Sequence, residues 1–205
     1  HGGPFVGENP SFDDWAQMMA NRGYLVLQPQ YRGSKNFGLK FYQSAFVNGG
    51  EGGKKMQDDK DDGALFLVEN GLADPDRMLM FGWSYGGYAS LIAASRTPQI
   101  YQCVIAGGIV PDMEEQVNYY RSRLNSAKDS VGAQEQLAYR DGAISPINET
   151  DKVNIPMLVI HGDLDQRTPM RAARRYVKKL EKTDADFKFV ELKGADHFGN
   201  TWTYD

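Results

Sequence analysis

Five short apolar runs predict β-strands along the chain. They lie at residues 24–27, 78–81, 103–106, 157–160 and 187–190. The first four are apolar at nearly every position, which is typical of parallel strands covered on both faces. The last alternates apolar and polar residues, so we predict that it lies at an edge of the sheet.

Helical segments are predicted between these strands. They cover about 13–21, 56–70, 85–94 and 170–182. Acidic residues open the first helix, and Gly71 caps the end of the second. Strands that alternate with helices predict right-handed crossovers and a mostly parallel sheet. Residues 1–205 are therefore predicted to form a single α/β domain with helices flanking the sheet.

The stretch 111–147 interrupts this alternation. Its pattern indicates a mostly helical excursion, with helices over about 112–125 and 133–139. No internal repeat or interdomain linker accompanies the change, so we assign the excursion to the same domain.

Charge and composition exclude two classes of partner. The formal net charge is −4, and the basic residues form no run that could track a phosphate backbone. No apolar run approaches the roughly 20 residues needed to cross a bilayer. We therefore expect neither a nucleic-acid partner nor a membrane partner.

Two charged features favour structural roles over binding roles. The run 58–62 contains four carboxylates, a number that could suggest a metal site. A solvated helix face, favoured by the helix dipole, is the simpler interpretation. Arg32 could contact a substrate, but a role within its own Tyr-Arg-Gly turn is favoured. We predict no metal site.

A candidate nucleophile lies in the segment Gly82-Trp83-Ser84-Tyr85-Gly86. A G-x-S-x-G match alone is a weak signal, but this one directly follows a predicted strand and directly precedes a predicted helix. That strand–turn–helix setting is the one in which a nucleophilic serine lies on a tight, strained turn. Small neighbours allow the strand and the helix to approach each other. Ser84 is therefore predicted to be the nucleophile of a serine hydrolase.

A serine hydroxyl needs a base, and the base needs an orienting group. In hydrolases with such a turn the chain order is Ser, then Asp or Glu, then His. His197, in a glycine-bracketed loop after the last predicted strand, fits the base. His161 ends a strand and is interpreted as structural. Asp163 and Asp165 both fit the acid, and their spacing does not separate them.

The tetrahedral intermediate needs two N–H donors. One is predicted to come from Tyr85, the residue after the nucleophile. The other is expected from a glycine-rich loop, and His1-Gly2-Gly3-Pro4 fits that description. This chemistry is acyl transfer through a covalent ester and requires no metal or organic cofactor.

Longer motifs make the comparison with a known family specific. They lie at 1–4, 31–34 with Gly38, 52–53 with 57–59, 74–77, 82–88, 145–146, 161–165 with Pro169, and 194–197. With these segments the chain resembles the catalytic domain of the prolyl oligopeptidase family of serine peptidases. The acylaminoacyl-peptidase and dipeptidyl-peptidase branches are the most similar.

The resemblance implies an α/β-hydrolase fold and a short peptide as substrate. It implies a triad of Ser84, Asp165 and His197, and so favours Asp165 over Asp163 as the acid. It also implies that the amides of Gly3 and Tyr85 bind the oxyanion. Some relatives carry a tyrosine where His1 stands, and the role of His1 is left open.

Family members also carry segments that are not found in these 205 residues. A β-propeller precedes the catalytic domain, and the opening strands and a closing helix belong to that domain. We expect the propeller and those strands of a longer parent chain to be its partners, with self-association left open. We also expect the 205 residues alone to be unstable or inactive, because the loss of a central strand leaves its neighbours unpaired.

The pocket for the substrate side chain before the scissile bond is predicted near the excursion. Its candidates are Ile109, Val110, Met113, Tyr119 and Tyr120. Each of them could equally be a helix-packing residue. Two other functions are left open: a carboxylesterase that uses the same triad, and a non-catalytic binding domain that retains the fold.

Overall fold

The computed structural model describes residues 1–123 and 142–198, and a parallel sheet lies at its centre. The sheet strands of the described residues are β1 (Leu79–Trp83), β2 (Cys103–Gly107), β3 (Met157–Gly162) and β4 (Phe187–Leu192). They lie in the order β1-β2-β3-β4, and every neighbouring pair is parallel. The predicted α/β class and the edge position of the last strand are confirmed.

Helices connect and cover the strands. Within the described ranges they are α1 (Asp14–Ala20), α2 (Leu39–Gln43), α3 (Lys55–Glu69), α4 (Tyr85–Ser95), α5 (Met113–Arg123) and α6 (Met170–Leu180). Single 3₁₀ turns occur at Val47–Gly49, Pro75–Arg77, Pro146–Asn148 and Thr150–Lys152. None of the helices described is long and apolar enough to span a bilayer.

The helix predictions are confirmed to within two residues for α1, α3, α4 and α6. The Asp13 carboxylate accepts the Ala16 N–H at 2.8 Å, so the acidic start of α1 is an N-cap. The first helix of the excursion corresponds to α5 over the described residues, whereas 133–139 lies outside them. The five-residue α2 was not predicted, because one turn is too short to show a helical period.

Helix α4 is the central element of the core. All eleven of its residues are buried, and it packs against β1 and β2. Burying a side chain such as Leu91 or Ile92 contributes about 1.5–3 kcal/mol each. Helix α6, by contrast, is buried on one face only, at Tyr176, Val177 and Leu180 among others. Because α4 is buried, its N-terminal end, where Ser84 is the N-cap residue, is held in a fixed position.

The predicted strand at 24–27 is wrong. This segment has no regular secondary structure, and Tyr24, Leu25 and Leu27 are 48%, 60% and 42% exposed. An apolar run favours a strand only if a neighbouring strand accepts its ladder of hydrogen bonds. Within the described residues β1 pairs with β2 alone, and 24–27 has no strand beside it.

The acidic run 58–62 is not simply a solvated face. Arg32 makes a two-pronged ion pair with Asp59, with N–O distances of 2.7 and 2.6 Å. Arg96, just after α4, pairs with Asp58 at 2.5 Å and with Asp61 at 2.8 Å. These ion pairs hold α3 against the 31–33 turn and against the end of α4. The structural role favoured for Arg32 is confirmed.

Candidate active site

Ser84 lies at the junction between β1 and α4, in a strained conformation. Its φ is 61° and its ψ is −118°, a region that residues with a Cβ rarely adopt. Such a conformation destabilises the folded state by about 1–3 kcal/mol and persists only where the surrounding structure holds it. Here the Ser84 N–H donates to Gly107 O at 2.9 Å, and Ser84 O accepts the Tyr88 N–H at 3.0 Å. The strand–turn–helix setting predicted for Ser84 is confirmed.

Close backbone approach explains the glycines around Ser84. A Cβ added at Gly82 would lie 2.3 Å from the carbonyl of Gly86. A Cβ added at Gly87 would lie 2.2 Å from Gly107 O, on the neighbouring strand. Real Cβ atoms do not make contacts this short, so α4 can begin directly over β1 and β2 only because these positions are glycine.

The His1–Gly3 segment lies directly against Ser84. A Cβ added at Gly2 would lie 3.3 Å from Ser84 Cβ and 3.9 Å from Ser84 Oγ. Gly3 has a φ of 40°, which glycine adopts readily. Tyr85 is the first residue of α4, and the N–H groups of a first helical turn point out of its N-terminal end. The two segments predicted to supply oxyanion donors therefore both adjoin Ser84.

His197 is held by a buried carboxylate. Its Nδ1 lies 2.7 Å from Asp165 Oδ2, and both side chains are almost fully buried. Asp165 Oδ1 accepts the N–H groups of Arg167 and Thr168, each at 2.8 Å. The hydroxyl of Thr168 donates to Asp165 Oδ2, also at 2.8 Å. The carboxylate is thus fixed by its own turn and presents one oxygen to the imidazole.

The second acidic candidate has a different partner. Asp163 Oδ1 accepts the Gly194 N–H at 2.7 Å, which ties the loop after β3 to the loop after β4. Asp163 therefore supports the loop that carries His197, whereas Asp165 contacts the imidazole itself. This is the geometric distinction that sequence spacing left open.

The surroundings of Asp165 favour its ionised form. Burial by itself would raise the pKa of this carboxyl group. The hydrogen bonds from His197 and Thr168 outweigh that effect and hold the pKa of Asp165 below its ordinary value. A carboxylate is therefore in place to fix one imidazole tautomer and to stabilise an imidazolium.

Two consecutive glycines lie between Ser84 and His197. Gly107 accepts the Ser84 N–H, while a Cβ added at Gly108 would lie 3.3 Å from His197 Cε1. Among the hydrogen bonds of residues 1–123 and 142–198, none joins Ser84 Oγ to His197. In serine hydrolases the hydrogen bond between the serine and its base is often long without substrate and tightens in the Michaelis complex.

His161 has a structural role, as its position at a strand end indicated. Its Nδ1 accepts the Ile109 N–H at 3.1 Å, so the proton is on Nε2, which donates to Thr168 O at 2.7 Å. Burial lowers the pKa of His161, which favours this neutral form. The imidazole thereby ties the end of β2 to the loop that holds Asp165.

Two residues that support the site were not predicted. Thr168 donates both its N–H and its hydroxyl to Asp165, and the Trp83 indole N–H donates to His197 O at 3.1 Å. The spacing of Asp165 and Thr168 is a sequence signal for the first, because aspartate often accepts N–H groups two and three residues on. The Trp83 contact joins residues 114 positions apart and has no local signal.

The candidate pocket residues divide into two groups. Ile109, Val110 and Met113 are at most 6% exposed and pack within the hydrophobic core. Tyr119 and Tyr120 are half-buried, and the Tyr119 hydroxyl donates to Gln166 O at 2.8 Å, within the loop of Asp165. Only the two tyrosines combine partial exposure with proximity to the site.

Comparisons with known proteins extend over nearly the whole chain. The model of the prolyl oligopeptidase family matches residues 10–205. Dipeptidyl peptidase family member 6 of Caenorhabditis elegans is 31% identical over 206 residues, which cover 96% of this chain and 27% of that protein. Dipeptidyl aminopeptidase BIII of Pseudoxanthomonas mexicana is 27% identical over 208 residues, which cover 96% and 29%.

A solved structure shows the same fold. Acylaminoacyl peptidase of Pyrococcus horikoshii matches with a TM-score of 0.81 at 22% identity, over 99% of this chain and 33% of that one. The chain thus spans about a third or less of the length of these proteins. The α/β-hydrolase fold implied by the sequence motifs is confirmed. Because the family model matches residues 10–205, the chain belongs to the prolyl oligopeptidase family.

Proposed function

We propose that residues 1–205 belong to the catalytic domain of a serine peptidase that hydrolyses short peptides through an acyl-enzyme. The observation that carries the proposal is the 2.7 Å contact between Asp165 Oδ2 and His197 Nδ1. Trp83, whose indole N–H donates to His197 O at 3.1 Å, directly precedes Ser84, which lies in a strained turn at the start of a buried helix. A serine with a purely structural role would not need that strain.

In the proposed mechanism His197 takes the proton of Ser84 as the Oγ attacks the scissile carbonyl. Asp165 holds the Nδ1–H tautomer, so that Nε2 is the basic nitrogen, and it stabilises the imidazolium that forms. His197 then protonates the leaving amine. Water repeats the cycle on the ester and releases Ser84.

The negative oxygen of the tetrahedral intermediate is proposed to bind to the amides of Gly3 and Tyr85. Support comes from the position of the His1–Gly3 segment against Ser84 and from Tyr85 as the first residue of α4. Preorganised amides at such a position act on charge that exists only in the transition state. His1 is proposed to support this arrangement through its backbone carbonyl, which accepts the Tyr31 hydroxyl, and through the stacking of its ring on Tyr31.

The substrate class follows from the family and from the names of relatives. Those relatives are called dipeptidyl peptidases, dipeptidyl aminopeptidases and acylamino-acid-releasing enzymes. We propose a short peptide that places an apolar or aromatic side chain beside Tyr119 and Tyr120. The relatives' greater length supports further segments of a parent chain as partners of this domain.

Covalent labelling tests the nucleophile directly. A fluorophosphonate should modify the full-length gene product once, and peptide mapping should locate the adduct on Ser84. The Ser84→Ala variant should remain unlabelled, while Ser90→Ala should label as the wild type does, because Ser90 Oγ instead donates to Gly86 O within α4. An adduct on any other residue contradicts the proposal.

A matched substrate panel separates a peptidase from the rival carboxylesterase. Peptide anilides with Gly-Pro, acyl-Ala or free Phe acyl groups are compared with esters of the same acyl groups. A peptidase should turn over at least one anilide as well as its ester. Turnover of the esters alone would identify a carboxylesterase, and failure of all labelling would favour a non-catalytic binding domain.

A further inference from the structure

Lys60 is a buried ammonium group in the middle of α3. Its side chain belongs to a residue that is 6% exposed, and Nζ donates to Met56 O at 2.6 Å. The carboxylates beside it in sequence, Asp59 and Asp61, are paired with Arg32 and Arg96. Burying a lysine without a dedicated carboxylate is costly. A packing role alone would be better filled by an apolar side chain of the same length.

The face of an aromatic ring provides the other main contact of Lys60. Nζ lies 3.5 Å from the ring centroid of Tyr31, which is a close cation–π distance. The imidazole of His1 stacks on the same ring, with centroids 4.2 Å apart and an interplanar angle of 18°. The two groups must lie on opposite faces, because these distances leave no room for both on one face. The Tyr31 ring is thus held between Lys60 and His1.

Tyr31 is bonded directly to the segment proposed to bind the oxyanion. Its hydroxyl lies 2.9 Å from His1 Nδ1 and 2.9 Å from His1 O, and His1 Nε2 lies 2.9 Å from Ser34 Oγ. His1 leads straight into Gly2 and Gly3. A displacement of the Tyr31 ring would therefore displace the backbone beside Ser84.

The second proposed oxyanion residue is also within reach. Lys60 Nζ lies 5.5 Å from the ring centroid of Tyr85, and the Tyr31 and Tyr85 rings lie 5.7 Å apart. One ammonium group therefore faces the ring of Tyr31, which bonds to His1, and the ring of Tyr85.

We propose that Lys60 is a positioning residue for the oxyanion hole, whose ammonium group holds the Tyr31 and Tyr85 rings and, through them, the amides of Gly3 and Tyr85. This inference rests on the proposed function. Its physical basis is that an ammonium polarises the Tyr31 hydroxyl towards His1 and adds positive potential beside Tyr85, the residue proposed to supply one of the two amides. A neutral side chain of equal length would fill the same space without either effect.

The charge of Lys60 changes in the neutral pH range. Burial lowers its pKa to about 7. The charged or titratable groups that face it are Asp59, Asp61, Arg32, Arg96, Tyr31 and Tyr85. The ammonium group that supports the oxyanion hole is therefore present below that pH and is lost as the pH rises through it.

The depressed pKa of Lys60 also makes folding stability depend on pH. Between about pH 7 and the ordinary lysine pKa, the unfolded chain still binds a proton that the folded chain has lost, so the free energy of unfolding should rise with pH across this range.

The test is Lys60→Met in the full-length gene product, with Lys55→Met as the matched control. Lys55 lies at the exposed start of the same helix. At pH 6 we expect Lys60→Met to lower kcat by about tenfold, less than the loss of a direct oxyanion donor, with little change in KM. The deficit should shrink towards none by about pH 9, since the wild-type lysine is then neutral. The melting temperature should stay the same or rise, most at low pH, and Lys55→Met should match the wild type throughout.

Two results would overturn the inference. One is equal kcat for wild type and Lys60→Met across the pH range. The other is a lower melting temperature with unchanged kcat per folded molecule, which would indicate a purely structural lysine. Failure of the wild type to label at Ser84 is a separate outcome, and it removes the proposed function instead.

A second variant keeps the test decisive if Lys60→Met does not fold. Tyr31→Phe retains the ring beneath Lys60 but removes the hydroxyl that bonds to His1. It should lose part of kcat, and the pH dependence that Lys60 contributes should be weaker than in the wild type, because the hydroxyl that the ammonium polarises is absent. Wild-type kcat in Tyr31→Phe would contradict the route from Lys60 to the oxyanion amides.

Discussion

Replacing Ser84 by alanine is expected to lower kcat by about a millionfold, with KM nearly unchanged. The reason is that an alanine side chain has no oxygen to form the acyl-enzyme, while the loops around it keep their places. Steady-state kinetics on the best anilide of the panel, measured on the full-length gene product, checks this. A Ser84→Ala variant that retains turnover above about a thousandth of the wild type would contradict the assignment.

The fold should tolerate this change, which makes the kinetic result interpretable. Ser84→Ala keeps the Cβ and so keeps the strained φ of 61°. Ser84→Gly removes the Cβ and should be more stable than Ser84→Ala, by about 1 kcal/mol. Denaturant unfolding of the two variants measures the difference. Ser90→Ala, in the body of α4, is the activity control and should keep wild-type kcat.

Replacing Asp165 by asparagine is expected to lower kcat by about ten-thousandfold. An amide at this position can donate to His197 Nδ1, which would leave the proton on Nε2 and remove the base that faces Ser84. The Asp165 turn should persist, because the remaining amide oxygen can still accept the Arg167 and Thr168 N–H groups. The value of kcat/KM, measured below substrate saturation, and the rate of fluorophosphonate labelling should fall together.

Asp163→Asn is the matched control for that prediction. The residue lies two positions away, but its carboxylate accepts the Gly194 N–H, which an asparagine oxygen can also accept. Its kcat should stay within a few-fold of the wild type. A larger loss for Asp163→Asn than for Asp165→Asn would reverse the assignment of the acid.

The sequence contained the elements of the site but not their contacts. Local signals sufficed to place Ser84 on its turn, because glycine spacing and the strand–turn–helix order lie within a few residues of it. The choice between Asp163 and Asp165 required either a family resemblance or the turn that orients each carboxylate. Carboxylates two residues apart differ in direction, and periodicity carries no information on direction in a loop.

Two predictions failed because they ignored long-range partners. The 24–27 run has the composition of a strand, yet a strand also needs a neighbouring strand to accept its hydrogen bonds. The acidic run 58–62 has the composition of a solvated face, yet Arg32 and Arg96 reach it from elsewhere in the chain. In both cases the outcome depends on residues distant in sequence, which local pattern cannot describe.

The parallel sheet, with its strands in chain order, also determines how the site can assemble. The Ser84 turn is completed by Gly107, only 23 residues further along the chain, whereas Trp83 meets the His197 loop across 114 positions. Closing the longer loop costs about 1.4 kcal/mol more in chain entropy. The turn of the proposed nucleophile can therefore be complete in partly folded forms that have not yet brought the proposed base to it. In a nascent or locally opened chain Ser84 would then lack a general base. Hydrolytic activity should therefore be confined to fully folded molecules.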